Sequence, residues 1–361
     1  MPQLSPLHEL ASAAGAKLVE LAGWEMPASY GDVAAEYAAA RSAAAVFDLS
    51  HRGKVEVSGP DAPSFLHNLC TNDILGMPLG AGCEAFFCTS RAKVISHSLI
   101  FHVRIGGANA FWLDVEPGEA GKLVAHLDHF RIAEQVELKD VTGDFAQLHL
   151  AGPAATGVLG RALADKVPEL DRLMHMERTF GANVHAHIRR NDMLGVPGYD
   201  IASLNAVAPG LWRMLTGAGA VLAGLDSFEL LRVEAGTPVY GIDIDENRFA
   251  FDVGRTAQAI SYAKGCYLGQ EPIVMARDRA GHSPRTLTGL KLSGPQPAPR
   301  GAKIFRDNEE VGWVTSSVSS PRLGCGIALA YLRFGHFESG TNVEVETAGG
   351  RQRAEVTPLP F

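Results

Sequence analysis

The residues with the densest potential for chemistry lie in one stretch, Lys264 to Glu271, where a single thiol stands between two glycines. The glycines permit backbone conformations that other residues rarely adopt, and Pro272 follows directly, so we expect Cys266 to lie on a loop. A nearby ammonium group favours the thiolate, which is the form of cysteine that attacks electrophiles and binds metals. The stretch therefore indicates Cys266 as a nucleophile or a transient metal ligand, with Lys264 lowering the pKa of its thiol.

The alternative for Cys266 is a buried cysteine that acts as a small hydrophobic residue, the commoner fate of a lone cysteine. Gln270 and Glu271 also have two interpretations. They either fix the loop or contact a partner, or they cap the turn that follows. The motif is completed by its glycines, tyrosine and polar residues: Gly265, Tyr267, Gly269, Gln270 and Glu271.

Length and composition indicate a globular protein of two or three domains, with 361 residues of which 46% are hydrophobic and 20% are charged. The net charge of -8, without a basic block, argues against direct nucleic-acid binding. No apolar run approaches the roughly 20 residues of a membrane helix, so we expect no membrane span. The N-terminal residues resemble neither a secretory nor a mitochondrial leader, and we expect a cytoplasmic location.

The cysteines are too scattered for a disulfide framework or a structural metal cluster. Their number is odd, and the sequence contains no C-x-x-C pair among Cys70, Cys83, Cys88, Cys266 and Cys325. We therefore expect no stably bound metal. If iron-sulfur chemistry is involved, the protein serves it rather than carrying a cluster.

The elements that must position these residues begin with a predicted helix over 32–47, capped by Asp32. A strand, a Gly-Pro turn and a helix then follow at 55–69, and the same pattern recurs at 148–159. We interpret the two segments as one supersecondary unit used twice, although Gly-Pro turns between strand and helix are common. The region between them is typical of a compact α+β subdomain, and the short, closely spaced strands beyond Pro284 predict a small β-barrel.

The stretch from Lys264 to Glu271 matches the signature K-G-C-[FY]-x-G-Q-E, and in this it resembles the YgfZ-type folate-binding proteins. That family supports iron-sulfur enzymes and is built on the fold of the glycine cleavage T-protein, an aminomethyltransferase. The resemblance continues in blocks along nearly the whole chain: 22–27, 47–51, 71–74, 231–236, 240–246 and 311–316.

The resemblance implies an α+β fold with three domains around a central folate channel and a C-terminal small β-barrel. It also implies a division of the chain into a discontinuous first domain, an inserted α+β domain, a signature loop with its linker, and the barrel. The first domain contains residues 1–52 and 140–260, and the inserted domain contains residues 53–139. The signature loop and linker contain residues 261–284, and the barrel contains residues 285–361.

The chain departs from the transferase pattern at two places. The transferase block G-G-I-x-D-D corresponds here to Ala92 to His97, so Ser96 and His97 replace both aspartates. We therefore do not expect a typical aminomethyltransferase. His97 could transfer protons, or it is a channel-lining or structural histidine. Val196 replaces a glutamate that binds the pterin in a T-G-E-x-G block of the transferases, and Asp200 is a nearby carboxylate that aligns with a different residue of that family.

Other positions that lie near the folate in the T-protein fold keep suitable residues, and the resemblance implies folate contacts for Arg232, Tyr240, Phe251 and Arg300, with His97 in the same channel. Arginines suit the acidic tail of a folate because a guanidinium group binds carboxylates in a bidentate manner. The alternative for both arginines is an ion pair with residues such as Glu234 or Asp243.

Three functional hypotheses follow. The first, which we favour at this stage, is a folate-binding accessory protein that uses Cys266 in the assembly or repair of iron-sulfur enzymes. Its partners would be those enzymes or their assembly proteins, and tetrahydrofolate would bind without a covalent bond. The second is a tetrahydrofolate-dependent aminomethyltransferase or a related demethylase module. The third is a binding or interaction module that keeps only the fold.

Overall fold

The computed structural model describes residues 1–105 and 107–361, without the side chains of residues 279 and 280. The helices are α1 (His8–Ala13), α2 (Val33–Ser42), α3 (Ala62–Leu69), α4 (Ala120–His129), α5 (Ala155–Leu163), α6 (Ala208–Gly217), α7 (Leu225–Glu234), α8 (Thr256–Ala259) and α9 (Gln270–Met275). The strands of the N-terminal half are β1 (Gln3–Leu4), β2 (Lys17–Leu21), β3 (Trp24–Ser29), β4 (Ala45–Asp48), β5 (Gly53–Ser58), β6 (Gly82–Cys88), β7 (Val94–Ile105), β8 (Ala108–Val115), β9 (Glu137–Asp140) and β10 (Phe145–Ala151). The remaining strands are β11 (His175–Phe180), β12 (Val184–Arg190), β13 (Gly198–Leu204), β14 (Val221–Ala223), β15 (Arg285–Leu292), β16 (Lys303–Arg306), β17 (Glu309–Ser320), β18 (Cys325–Arg333), β19 (Asn342–Thr347) and β20 (Gly350–Thr357).

The chain forms two compact units. The first unit contains Met1–His67, Asp73–Glu84 and Ser98–Phe228, and the second unit contains Asn68–Asn72, Ala85–His97 and Glu229–Phe361. None of the described helices is long and apolar enough to cross a membrane. The finer division into four segments that the sequence suggests stays a prediction.

The first unit is built on a six-stranded sheet in the order β11-β12-β13-β10-β4-β14. All neighbours in it are antiparallel except β4 and β14. One face packs on α5 and α6 through an apolar core that includes Leu148, Ile188 and Ile201 from the sheet. The residues between them in sequence point to the opposite face, and many of these are polar. A three-stranded sheet, β1-β3-β2, completes this unit.

A five-stranded sheet has the order β6-β7-β8-β5-β9, and β6 and β7 have residues in both units. The repeated pattern of strand, Gly-Pro turn and helix is confirmed, since β5 leads to α3 and β10 leads to α5. Gly59 has φ 113° and Gly152 has φ 134°. A Cβ atom on either glycine would overlap a backbone carbonyl, that of Gln135 or Ala43 respectively. Each turn therefore requires glycine. The interpretation of the two segments as an internal duplication stays a hypothesis.

The helix predicted over 32–47 is too long. Asp32 does cap α2, because its side chain accepts a hydrogen bond from the Ala34 amide at 2.9 Å, but α2 ends at Ser42. The following residues form β4 instead, which pairs with β10 and β14. These residues form a strand because they pair with distant segments of the chain, and local helix propensity contains no information about such pairing.

The C-terminal β-barrel is confirmed as a closed barrel in the order β15-β18-β17-β16-β19-β20. Its interior contains Leu290, Ile304 and Val345, all fully buried. The sequence did not predict β20, which closes the barrel by pairing with β15 and β19. Four of its eight residues are arginine, glutamine or glutamate, and this hides the inward alternation of Ala354 and Val356.

Candidate functional site

The loop that carries Cys266 is anchored by the lysine two residues before it. Nζ of Lys264 donates hydrogen bonds to the backbone carbonyls of Cys70 and Asn72, each at 2.8 Å, and lies 4.8 Å from the centre of the Tyr267 ring. Lys264 is only 8% exposed, so these carbonyls compensate a buried charge. Lys264 is therefore an anchor of the loop, and its effect on the pKa of the Cys266 thiol stays a prediction.

Cys266 is exposed and lies on irregular backbone, which excludes the alternative of a buried cysteine. The next side chain has the opposite orientation, since Tyr267 is 7% exposed and belongs to the apolar core of the second unit. Within the described residues, the Tyr267 hydroxyl has no hydrogen-bond partner, and burial raises the pKa of this phenol. The loop thus presents a thiol at the surface and holds its own position with an aromatic ring.

Gly269 fixes the end of the loop against the hairpin between β6 and β7. Its φ is +82°, and an added Cβ atom would lie 2.5 Å from the carbonyl oxygen of Thr89 and 3.3 Å from Cα of Ala92. The amide of Leu268 also donates to the carbonyl of Asn68 at 2.9 Å. Because both the backbone conformation and the close approach exclude a side chain, glycine is required at this position.

Gln270 and Glu271 are the first residues of α9, with Gly269 as the residue that precedes the helix. A carboxylate in the first turn is favoured by the positive end of the helix dipole. Pro272 is also in this turn, where its missing N–H leaves no helical hydrogen bond unmade. Gln270 and Glu271 thus begin α9, whose N-terminus has no side-chain capping hydrogen bond among the described residues, and their roles in fixing the loop, contacting a partner or capping the turn stay predictions.

The position of the transferase aspartates lies on β7. Ser96 is 2% exposed, whereas His97 is half-buried, with its ring centre 5.0 Å from that of Phe86. Side chains alternate along a strand, so these two residues point to opposite faces. An imidazole can accept and donate protons, and His97 is thus the residue at this position that is able to take part in proton transfer.

Tyr240 and Phe251 lie close to the beginning of the same strand. Tyr240 is 6% exposed, and its hydroxyl donates to the carbonyl of Val94 at 3.4 Å. The Phe251 ring stacks on Phe249, with 5.1 Å between ring centres and 6° between planes, and Nζ of Lys93 lies 3.6 Å from the Phe249 ring centre. These residues support the segment that leads to His97, and their predicted folate contacts stay predictions.

Arg232 is fully buried in a network of ion pairs and hydrogen bonds. Its guanidinium group donates to Glu229 and, at 2.6 Å, to Asp243, and it donates to the Ser316 hydroxyl at 2.7 Å. Thr315 also donates to Asp243, at 2.5 Å. These contacts are those of the ion-pair alternative. They engage all three nitrogens of Arg232, whose assignment to folate stays a prediction.

Arg300 lies at a cavity of about 130 Å³ in the second unit. Its Nη2 donates to the carbonyls of residues 241 and 242, at 2.9 and 3.0 Å. Arg248 lines the same cavity, with its guanidinium carbon 4.9 Å from the Trp313 ring centre and 5.3 Å from that of Tyr331. In the described part of the chain, the buried Tyr331 hydroxyl has no hydrogen-bond partner. Asp243 and Asp245 also line the cavity, and Nε of Arg248 lies 3.3 Å from Asp245 Oδ1. The cavity thus combines two cations, an aromatic wall and an unpaired hydroxyl with two carboxylates.

In the first unit, Val196 is 8% exposed and brings no acceptor to the position of the transferase glutamate. The nearby Asp200 carboxylate is buried and accepts hydrogen bonds from Nδ1 of His149 at 2.8 Å and from Nδ2 of Asn191 at 2.7 Å. Burial raises the pKa of Asp200, but these hydrogen bonds outweigh burial and hold the pKa below its usual range. Asp200 is therefore occupied by protein donors.

A second polar cluster, which the sequence analysis did not predict, is buried in the first unit. Nε of Arg52 and Nε2 of Gln147 donate to Asp114, at 2.6 and 2.8 Å, and Nη1 of Arg189 lies 3.5 Å from Asp114 Oδ2. Arg189 is 0% exposed. We call these four residues the polar layer.

No metal site is evident, since no group of three or more His, Cys, Asp or Glu residues in the described ranges is arranged to hold an ion.

Comparison with known families gives two matches that together span most of the chain. The GCVT N-terminal domain matches residues 7–259, and the glycine cleavage T-protein C-terminal barrel domain matches residues 285–361.

Similar proteins agree over the full length. The aminomethyltransferase of Rubrobacter xylanophilus is 33% identical over 365 residues, covering 99% of this chain and 93% of that protein. The aminomethyltransferase of Geobacillus kaustophilus is 30% identical, covering 100% and 99%. Among solved structures, glycine cleavage system aminomethyltransferase T from Bartonella henselae superposes with a TM-score of 0.91 at 27% identity, covering 100% of this chain and 98% of that one.

Proposed function

The chain belongs to the glycine cleavage T-protein family, and from this premise we propose that it binds a reduced folate and transfers one-carbon units as an aminomethyltransferase does. The observation that carries the proposal is the full-length agreement in fold and sequence with proteins of that name. It supports the transferase hypothesis better than the accessory hypothesis that the cysteine motif favoured. The cytoplasmic location stays a prediction.

We place the acidic end of the folate in the cavity beside Arg300, where Arg248 and Trp313 also form the wall. Asp243 and Asp245 line this cavity too, and Arg248 pairs with Asp245 at 3.3 Å, so a folate carboxylate would have to compete with a protein carboxylate for that arginine. The unpaired hydroxyl of Tyr331 offers one more hydrogen bond. The pterin end lacks the usual acceptor because position 196 is valine, so we expect weaker folate binding than with a glutamate there.

When bound, tetrahydrofolate would supply two amines, and their two new C–N bonds to the methylene carbon would replace its bonds to the departing ammonia and to the carrier protein. The contribution of this chain at the reacting position is His97, which takes a proton from the attacking amine and returns one to the leaving amine. A neutral imidazole lacks the fixed negative charge of an aspartate. We therefore expect slow turnover.

The test is the formation of methylene-tetrahydrofolate from tetrahydrofolate and an aminomethylated carrier protein. Loss of a general acid-base group costs about 10²- to 10⁴-fold in rate, so His97→Ala should lower kcat by that factor, whereas His97→Asp should keep or raise it. His129→Ala is the matched control, since His129 is an exposed histidine on α4. Wild-type protein that binds folate but gives no turnover above the uncatalysed rate would sink the transferase proposal.

A second candidate function rests on the exposure of Cys266. The protein would then act as a YgfZ-type accessory factor for iron-sulfur enzymes, with the thiol presented to those enzymes or to their assembly proteins. The supporting observation is that Cys266 is exposed while Lys264 and Tyr267, on either side of it, are buried.

Complementation of a host that lacks such a factor tests this second function. Iron-sulfur enzyme activity under oxidative stress should be restored by wild type and by Cys325→Ala, and should not be restored by Cys266→Ala. Cys325 is a suitable control because it is also an unpaired, partly exposed cysteine of the second unit. Equal restoration of enzyme activity by the two variants would show that the Cys266 thiol is not required for this function.

A further inference from the structure

A second cavity, of about 410 Å³, lies in the first unit beside strands β11, β12 and β13. The pairing of β12 with β13 ends at Ala186 and Ser203, and the cavity lies where these strands separate. Its volume is within the range of about 300–1,000 Å³ that is typical of sites for small molecules. Phe145, Leu204 and Val207 form an apolar part of its wall.

His187 lines this cavity, and one nitrogen of its ring makes no hydrogen bond within the described residues. This nitrogen, Nδ1, is buried. The nearest carboxylate oxygen, Glu177 Oε1, is 3.8 Å away, which is beyond hydrogen-bond distance. The ring packs edge-on against Trp112, with 5.3 Å between centres. Burial, with the charge of Arg189, lowers the pKa of His187 to about 3, so the imidazole is neutral near pH 7.

Arg189 lies behind His187, two residues further along β12 and on the same face of the sheet. It is 0% exposed and forms an ion pair with Asp114, whose Oδ2 lies 3.5 Å from Nη1, but within 1–105 and 107–361 none of its N–H groups makes a hydrogen bond. The guanidinium carbon lies 4.4 Å from the ring centre of Phe101 and 4.5 Å from that of Trp112. Rings stabilise a cation only in part, and Asp114 is already bonded to Arg52 and Gln147.

The cavity therefore has an apolar wall, a neutral hydrogen-bonding ring and, behind that ring, a buried cation without full compensation. An anion at its inner end would be attracted by Arg189 through a region of low dielectric constant. Among the described residues that line the cavity, Glu177 supplies the only carboxylate, and its side chain is 57% exposed, so water screens its repulsion.

We propose that this cavity binds a small carboxylic acid with an apolar body, whose carboxylate accepts a hydrogen bond from the His187 ring and whose body packs on Phe145 and Val207. This site is independent of the folate function. Amino acids and simple carboxylic acids both have the required carboxylate and apolar body. An amino group on the ligand would lie near Glu177 at the rim of the cavity, and the test below distinguishes the two classes.

The test is calorimetric titration of the full chain with phenylacetate, with 2-phenylethanol as the neutral analogue and phenylalanine as the amino acid. We expect saturable binding of phenylacetate at one site, and at least tenfold weaker binding of the alcohol, because a charge-assisted hydrogen bond is lost. Tighter binding of phenylalanine than of phenylacetate would identify an amino acid as the ligand, and the reverse would identify a simple acid. Equal binding of acid and alcohol, or no saturation up to about 10 mM, would overturn the proposal.

Charge changes at Leu204 test the location without a risk to folding, since Leu204 lines the cavity and is 54% exposed. Leu204→Lys should strengthen phenylacetate binding and Leu204→Asp should weaken it, each by about two- to fivefold at low salt. His187→Phe should weaken it about tenfold or more, and His129→Phe, on the surface of α4, should leave it unchanged. Leu204 variants that shift affinity in the same direction would refute the assignment. Tetrahydrofolate affinity, measured on the same variants, should stay constant, and this separates failure here from failure of the folate proposal.

Discussion

Replacing Gly269 by alanine tests the role of the cysteine loop as a structural anchor. At this residue the backbone has φ +82°, and a methyl group would lie 2.5 Å from the carbonyl oxygen of Thr89. That oxygen belongs to the backbone of the hairpin between β6 and β7, so it cannot move aside as a flexible side chain would. The loop or the hairpin must shift.

The expected loss of stability is the sum of two effects. An L residue in the left-handed region costs about 1–2 kcal/mol, and forcing an extra methyl group into a closely packed place costs about 1–3 kcal/mol. We expect Gly269→Ala to lower the free energy of unfolding by about 2–5 kcal/mol.

Gly265→Ala provides a matched control in the same motif. Gly265 is exposed, and an added Cβ atom would meet no atom within 4 Å. This change should alter stability by no more than about 0.5 kcal/mol. Urea unfolding followed by circular dichroism measures both variants, and the rate of Cys266 alkylation reports on the loop itself. Equal stability of the two variants would refute the claim that the loop is fixed through Gly269.

Three further predictions concern buried charges, buried histidines and the repeated turns. Arg232→Met leaves the buried Asp243 without its cation and should lower the free energy of unfolding, measured in urea, by about 3–5 kcal/mol. Arg300→Met, at an exposed arginine, should lower it by less than about 1 kcal/mol. Equal losses in the two variants would contradict the ion-pair role of Arg232. Burial lowers the pKa of His51 to about 3, of His175 to about 4 and of His187 to about 3, from 6.5 in each case. The unfolded chain therefore binds up to three more protons as the pH falls below 6.5, so that stability should fall by up to about 4 kcal/mol per pH unit between about pH 6 and 4. Urea midpoints at pH 7, 6 and 5 measure this loss, and a constant midpoint would exclude it. Gly59→Ala and Gly152→Ala should each destabilise the first unit by about 2 kcal/mol or more. Gly121→Ala should stabilise it by up to about 1 kcal/mol, because an added methyl group on α4 meets no atom within 4 Å. Thermal unfolding measures the three variants, and a different order of melting temperatures would contradict this prediction.

Local sequence patterns predicted those parts of the fold whose cause is local. The turns at Gly59 and Gly152 were recognisable because a Gly-Pro pair follows an alternating strand and precedes an amphipathic helix. The end of α2 was not recognisable, because the residues from Ala43 to Phe47 are compatible with a helix. They form a strand because they pair with distant segments, as Val46 does with Leu150. That pairing partner is about a hundred residues away and leaves no mark on the local pattern.

The candidate site divides in the same way. The glycines around Cys266 predicted an irregular loop, which is present. Whether the thiol is buried was left open by the sequence, and in the structure it is exposed. The partners of Lys264 are 192 and 194 residues away, so the sequence suggested the neighbouring thiol for its ammonium group instead. Arg189 was overlooked because His185, His187 and Arg189 alternate with apolar residues, which is typical of a strand with one face in water. In this fold a second sheet covers that face.

The anchoring of the loop links the two functional candidates physically. Gly269 packs against Thr89 and Ala92 in the hairpin between β6 and β7, and β7, which begins two residues after Ala92, carries His97. A change that displaces the hairpin will therefore disturb His97, where we propose that the reaction takes place, even if Cys266 takes no part in it. It follows that loss of transfer activity in a Gly269 variant is not evidence for thiol chemistry. Only substitution of Cys266, which points outward from the same loop, separates the role of the thiol from the role of the loop that holds it.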